Sequence, residues 1–166
     1  MTTTSLKGIE VNTNGTLPKI NSVAPPFTLV GSDLSDLTLT DFKGKNIILN
    51  IFPSLDTDVC AASVRRFNKE AANMNNTVVL AISADLPFAA GRFCTTEGIG
   101  NVIPASVFRN PEFAEKYGIL MMNGPLKGLL ARAVVVINPE GNISYTELVP
   151  EISNEPNYQA AISSIV

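Results

Sequence analysis

The chain predicts an α/β fold in which a mixed central sheet is flanked by helices and carries an N-terminal β-hairpin extension. Three observations predict it. Residues 47–52, 77–83 and 133–137 are short, continuous, apolar and mostly β-branched, the pattern of strands buried on both faces. The stretches after the first two have helical periodicity or helix start signals. Asn138, Pro139, Glu140 and Gly141 are turn residues between 133–137 and a second extended run, 143–148, so these two strands should form an antiparallel hairpin.

The elements follow in order. Residues 9–20 hold short β-like runs around Asn14-Gly15, a hairpin signal. Pro25-Pro26 leads into a strand at 27–30, and Thr38 and Leu39 suggest another short extended piece. Residues 41–45 read as a turn before the 47–52 strand. From 61 to about 74, Val64, Phe67, Ala71 and Met74 recur at helical spacing and define one buried face, and Asn75-Asn76 ends the helix. After the 77–83 strand, Asp85 and Pro87 signal a helix start. That helix carries Cys94 and stops by Gly98 or Gly100. Asn110-Pro111 opens a short helix and Gly118 closes it. A last helix starts near residues 154–156 and runs to the C-terminus. Parallel crossovers in the first half and an antiparallel hairpin in the second amount to thioredoxin-like topology. Residues 1–166 are expected to form one domain, with no linker or repeat.

Composition narrows the chemistry. Hydrophobic residues make up 45% and charged residues 16%, which argues for a packed core over disorder. The net charge of -3 leaves no basic footprint for nucleic acid and no polybasic patch for a membrane surface. No apolar run approaches the roughly 20 residues that span a bilayer, and the N-terminus lacks a signal-peptide core, so a cytoplasmic protein without membrane insertion is expected. The sequence contains no histidine. That removes cysteine–histidine and serine–histidine–aspartate hydrolases, histidine-ligated haem and mixed cysteine–histidine zinc sites. Two cysteines alone hold neither a thiolate zinc site nor an iron–sulfur cluster, so no metal or cofactor is expected.

The most informative segment is P-S-L-D-T-D-V-C, from Pro53 to Cys60. It delivers Cys60 to the first turn of a helix, where unsatisfied N–H groups and partial positive charge favour thiolate, the nucleophilic form. A lone cysteine is more often a small buried hydrophobe. The strand–turn–helix setting argues for reactivity instead. Thr57 reads either as a plain N-cap or as a hydroxyl aimed at the thiolate or an incoming oxygen, and the two roles are compatible. Arg132 shares a strand face with Val134 and Val136 and has no polar company. It marks the solvated start of that strand, or it is buried with an anionic partner, since an unpaired buried charge is costly. Cys94 reads as a buried hydrophobe or as a resolving thiol. A Cys60–Cys94 bond would close a loop of some 35 residues, worth roughly 3–4 kcal/mol on the chain-entropy model. It also needs Cα atoms within about 7 Å, so local unwinding accompanies it if the helices hold the thiols farther apart. Cys60-Ala61-Ala62-Ser63 is half of a two-cysteine redox motif with serine in the second place, which argues against a general dithiol oxidoreductase.

These residues resemble the peroxiredoxins, whose active-site signature is P-x-x-x-T-x-x-C, and more narrowly the atypical two-cysteine branch of bacterial thiol peroxidases. The resemblance continues through N-T-V-V-L-A-I-S-A-D-L-P-F-A, R-F-C, G-P-L-K-G-L-L-A-R-A-V-V-V-I and L-V-P-E-I-S-N-E-P-N-Y, covering essentially the whole chain. It implies that Cys60 is the peroxidatic cysteine and Cys94 the resolving one, joined in a disulfide during turnover. It implies that Thr57 and Arg132 position the peroxide and stabilise the thiolate, and that Pro53 walls the pocket. It further implies a homodimer, thioredoxin as reductant, and alkyl and lipid hydroperoxides as substrates beside hydrogen peroxide. Asp58 departs from the small or uncharged residue expected at its position. It is expected to face water and to tune Cys60 without disabling it. Two other readings use the same residues: a one-cysteine peroxidase with Cys94 structural, and a non-catalytic thioredoxin-like interaction or chaperone-like protein.

Overall fold

A computed structural model describes residues 2–165. The chain opens with β1 (Thr3–Leu6) and β2 (Ile9–Asn12), an antiparallel pair separate from the main sheet. Seven further strands form that sheet: β3 (Thr28–Gly31), β4 (Asp36–Thr38), β5 (Asn46–Ile51), β6 (Thr77–Ser83), β7 (Ile103–Ser106), β8 (Ala133–Ile137) and β9 (Ile143–Leu148). Their spatial order is β4-β3-β7-β6-β5-β8-β9. The parallel pairs are β5·β6 and β6·β7; β5·β8, β8·β9, β3·β7 and β3·β4 are antiparallel. Four helices pack on it: α1 (Asp58–Ala71), α2 (Pro87–Glu97), α3 (Glu112–Tyr117) and α4 (Tyr158–Ser163).

Both faces of the sheet are covered, which is why its central strands carry no polar alternation. Ile48, Phe52, Val79, Ala81, Val134 and Val136 face one layer, where Val64 and Phe67 of α1, Ala90 of α2, and Tyr158 and Ala161 of α4 pack against them. Ile47, Leu49, Ile51, Leu80, Ile82 and Val135 face the other, against Phe113, Ala114 and Tyr117 of α3. The assignment of Val134 and Val136 to one face and Val135 and Ile137 to the other holds as the alternation predicts.

Four sequence expectations need correction. The N-terminal hairpin turns at Lys7-Gly8, both at positive φ, rather than at Asn14-Gly15. Asn14-Gly15 lies at the hairpin's open end, where Gly15 O accepts from Thr2 N and Asn14 exchanges hydrogen bonds with Leu120. Leu39 is not extended: it opens a 3-10 turn through Phe42, with the Asp41 carboxylate accepting the Thr38 N–H. β7 has no counterpart in the sequence reading, because Pro104 argues against a strand. The proline is tolerated because β3 ends at Gly31, opposite Ala105, so Pro104 lies beyond that partner. Lastly, α4 starts at Tyr158, where the Asn157 side chain accepts from Ala160 N, and ends at Ser163. Val166 lies outside the described residues. Among those residues, no helix is long and apolar enough to cross a membrane.

Gly118 closes α3 at φ 66°, and a Cβ there would meet the Thr16 backbone at 2.4 Å. Gly8, at φ 80°, has open space around it. Gly8→Ala should therefore cost only the left-handed backbone penalty, about 1–2 kcal/mol. Gly118→Ala should exceed it by about 1–3 kcal/mol, the range for overpacking, with urea unfolding as the measurement.

Candidate active site

The site is built where β5 gives way to α1. Phe52 extends the ladder for one residue by donating its N–H to Ile82 O, and the buried Pro53 then turns the chain. Thr57 takes the extended backbone of an N-cap, and Ala61 N closes the first helical turn on Thr57 O at 3.0 Å. Cys60 therefore falls on the third helical residue, in the first turn, as its sequence setting predicts. Its side chain is fully buried.

Arg132 comes to it from the opposite direction, one residue before β8. β8 lies next to β5 in the sheet, so the residue entering β8 arrives beside the residues leaving β5. The guanidinium is only 2% exposed, which rules out the solvated strand start. Nη2 donates to Cys60 Sγ at 3.2 Å, and Nε donates to the Ile152 carbonyl at 2.8 Å. Nη1 is also buried and has no acceptor among the described residues. A planar fork of donors is thus fixed at two points, with one donor in reserve.

Arg132, Pro53 and Thr57 line a single cavity of about 160 Å³, completed chiefly by Leu6, Val59, Leu126 and Ile152. Cys60 lies one hydrogen bond behind that lining, through Arg132. Thr57 does not cap the helix with its side chain: its Oγ1 donates to Ser54 O at 2.9 Å, leaving its lone pairs to accept from a guest. Asp58 is exposed and lies at the cavity mouth. At the first helical residue its charge also suits the positive end of α1.

Cys94 is not brought to this cluster. It lies in the last turn of α2, and both cysteines are free thiols. α2 packs on β7, whereas Arg132 sits on the β8 flank of β5, so the two approaches to α1 come from opposite sides. An ion pair between Arg65 and Glu97 ties α1 to the end of α2. Burial pushes the Cys94 thiol above its ordinary range.

Sequence reasoning misses three parts of the site. The Ile152 carbonyl holds Arg132, yet a backbone acceptor leaves no residue-type signal. Leu6 reaches the cavity from the hairpin because Ser5 N donates to Pro150 O and Ile152 N donates to Ser5 O. Asp85, read only as a helix-start signal, accepts from Ser54 Oγ and Leu55 N of the Pro53–Cys60 segment.

With this geometry in place, comparison with known proteins gives a consistent result. The Redoxin family model matches residues 19–162. The thiol peroxidase of Mycobacterium tuberculosis is 55% identical over 161 residues, 97% of this chain and 96% of that protein. The thiol peroxidase of Corynebacterium glutamicum is 51% identical over 165 residues, 99% of each chain. The crystal structure of a peroxiredoxin-like protein from Aquifex aeolicus superimposes with a TM-score of 0.92 at 42% identity, covering 97% of this chain and 94% of that one.

The raised Cys94 thiol has a definite pH consequence. A folded-state value above the unfolded one contributes stability below the unfolded pKa, about 8.5, and that contribution is lost as pH rises through the folded value. The unfolding free energy of wild type should therefore fall above about pH 8.5 more steeply than that of Cys94→Ser, as read by urea titrations at stepped pH.

Proposed function

The chain belongs to the Redoxin family and is a peroxiredoxin-type peroxidase, and on that footing we propose that it reduces hydrogen peroxide and organic hydroperoxides through a Cys60 sulfenic acid and a Cys60–Cys94 disulfide. The observation that carries this reading is Arg132, buried with Nη2 on the Cys60 sulfur and Nη1 without a partner among the described residues. The thiolate attacks one peroxide oxygen and the O–O bond breaks. Sulfur keeps that oxygen and its hydrogen as a sulfenic acid, and the other leaves as hydroxide or alkoxide, which takes from solvent the proton the thiol had released and becomes water or an alcohol. Charge grows on the leaving oxygen, and Nη1 is the donor free to meet it. Thr57 Oγ1, whose proton is committed to Ser54 O, accepts from the peroxide O–H and orients it. Leu6, Val59, Leu126 and Ile152 give the cavity an apolar wall that suits an organic substituent.

Resolution follows as the Cys94 thiol condenses with the Cys60 sulfenic acid, forming the S–S bond and releasing water. A thioredoxin-type dithiol returns both cysteines to thiols by exchange, which places the cycle in a reducing, cytoplasmic setting. Leu86 and Phe88, at the start of α2, and Phe108, just after β7, are exposed apolar residues that support a homodimer, which sedimentation velocity would distinguish from a monomer.

Arg132→Gln should slow Cys60 oxidation by about 10²–10³-fold, the usual cost of removing a preorganised donor. Arg132→Lys should recover little, because an ammonium cannot span Ile152 O, sulfur and substrate in one plane. Intact mass after one equivalent of peroxide should show wild type losing two hydrogens. A persistent added oxygen would instead favour the one-cysteine cycle with Cys94 structural.

A further inference from the structure

We infer that Asp85 is a positioning residue whose carboxylate latches the Pro53–Cys60 segment in its peroxide-reacting conformation, and whose release lets Cys60 travel to Cys94. The inference rests on the two-cysteine cycle proposed above and adds to it what controls the change of shape.

The geometry is specific. Asp85 Oδ1 accepts from Ser54 Oγ at 2.7 Å. Oδ2 accepts from Leu55 N at 2.8 Å and from Ser83 Oγ at 2.8 Å. Ser54 passes the constraint on: its Oγ accepts from Asp56 N, and its carbonyl accepts from Thr57 Oγ1. Among the described residues, the hydrogen bonds that residues 53–57 send beyond their own loop and helix all end on this carboxylate. Asp85 is itself pinned, since its carbonyl accepts from Ser106 Oγ at the end of β7. It also stands two residues before Pro87, where the helix that carries Cys94 begins. One carboxylate therefore joins the segment that presents the peroxidatic sulfur to the foot of the helix that presents its partner.

Between those two segments lies a cleft of about 240 Å³ lined by Leu55, Asp56, Asp85, Ala89, Arg92 and Phe93, among others. Phe93 adjoins Cys94 in sequence. The space for the loop to move toward α2 is thus present, and the Asp85 bonds cross its end. Peroxide reduction needs Pro53 and Thr57 at the cavity and Cys60 against Arg132. Disulfide closure needs the same segment to leave. A latch that favours the first step opposes the second.

Asp85→Asn removes the carboxylate charge and turns one acceptor into a donor: at the Oδ2 position it loses the Leu55 N–H bond, and at the Oδ1 position it reverses the Ser54 Oγ bond, so the latch is weakened in either orientation. The expected result is a split: sulfenic acid formation slows by roughly tenfold while disulfide closure speeds up by a comparable factor. Rapid-quench intact mass reads both steps, the first in a Cys94→Ser background and the second as conversion of added oxygen to loss of two hydrogens. Ser54→Ala, which deletes the Oδ1 bond and the Asp56 N–H contact to the same hydroxyl but leaves both Oδ2 bonds, should shift both rates in the same directions by less. A merely structural Asp85 would slow both steps or spare both, and either result on a wild type that closes the disulfide overturns the latch alone. A wild type that oxidises but never closes it overturns the two-cysteine cycle and the latch with it. If Asp85→Asn does not fold, Ser54→Ala decides by the same split.

Discussion

The structure depends on keeping one guanidinium out of water. A buried charge costs several kcal/mol unless well-placed acceptors meet it. Arg132 is buried and enters β8 beside Val134 and Val136 on an apolar face. Its needs explain the placement of distant parts of the chain. Ile152 must turn its carbonyl inward, so residues 149–152 must be held. Val149 N donates to Arg132 O, Thr4 Oγ1 donates to Val149 O, and Ser5 brackets the segment from Pro150 to Ile152. The N-terminal hairpin is therefore a brace for the arginine. Val11, Met121, Ala131 and Ile152, with Leu6 and Leu126 against them, form the small apolar cluster that binds the brace to the start of β8. The sulfur of Cys60 completes the acceptor set on the other side. One donor is left over, and a half-satisfied buried network is where an incoming oxygen is worth most.

The same arrangement creates a conflict with the second half of the proposed cycle. A sulfur fixed by burial and by Arg132 is well placed to meet peroxide and badly placed to meet Cys94. Only the first turn of α1 has to yield, because Val64 and Phe67 anchor the later turns in the core. Even that turn is tied down. Ser63 Oγ donates to Cys60 O at 2.7 Å, and Asn50 Nδ2 in β5 donates to Ser63 Oγ at 3.1 Å. Hydrogen bonds of this size are worth about 1 kcal/mol net each, small enough for local opening and large enough to set its frequency. In the proposed cycle the burial that raises the Cys94 thiol acts in the same sense, because it disfavours the thiolate while α2 stays packed.

Much of this was legible in the sequence, and the boundary has physical causes. β6 and β8 fall on the predicted residues because a strand buried on both faces writes itself as an apolar run, and β9, an edge strand, does so because the turn at residues 138–141 fixes its start. The first-turn position of Cys60 follows from counting between a strand and a helix. The burial of Arg132 was one of two open readings, and the alternation that put it with Val134 and Val136 pointed to the correct layer. β7 stayed hidden because a proline at a tolerated register cannot be told from one that ends a strand. The hairpin turn was misplaced because Asn14-Gly15 carries the stronger local signal, while the pairing of Leu6 with Ile9 leaves only Lys7-Gly8 for the turn. Thr57 is the N-cap by its backbone but does not cap with its side chain: the hydroxyl donates to Ser54 O, a choice made by loop geometry rather than by residue type.

The hairpin carries the argument one step further. β1 and β2 lie outside the Redoxin match, which begins at residue 19. Pro53, Thr57, Cys60 and Arg132 all lie inside it. Leu6, outside the match, supplies part of the wall that a substrate's carbon chain would touch. One part of the apolar wall, Leu6, thus comes from a separable part of the chain, whereas Val59, Leu126 and Ile152 lie within the match. That part and the reacting centre meet through Ser5 and Ile152, where the residue beside Leu6 holds the residue whose carbonyl holds Arg132. Changing the bulk of Leu6 alters the shape offered to the peroxide while the backbone bonds that support the guanidinium remain. Disturbing Ser5–Ile152 pairing reaches the sulfur through the arginine. Selectivity and reactivity are therefore coupled through the backbone at residues 5 and 152 and independent at the side chain of residue 6.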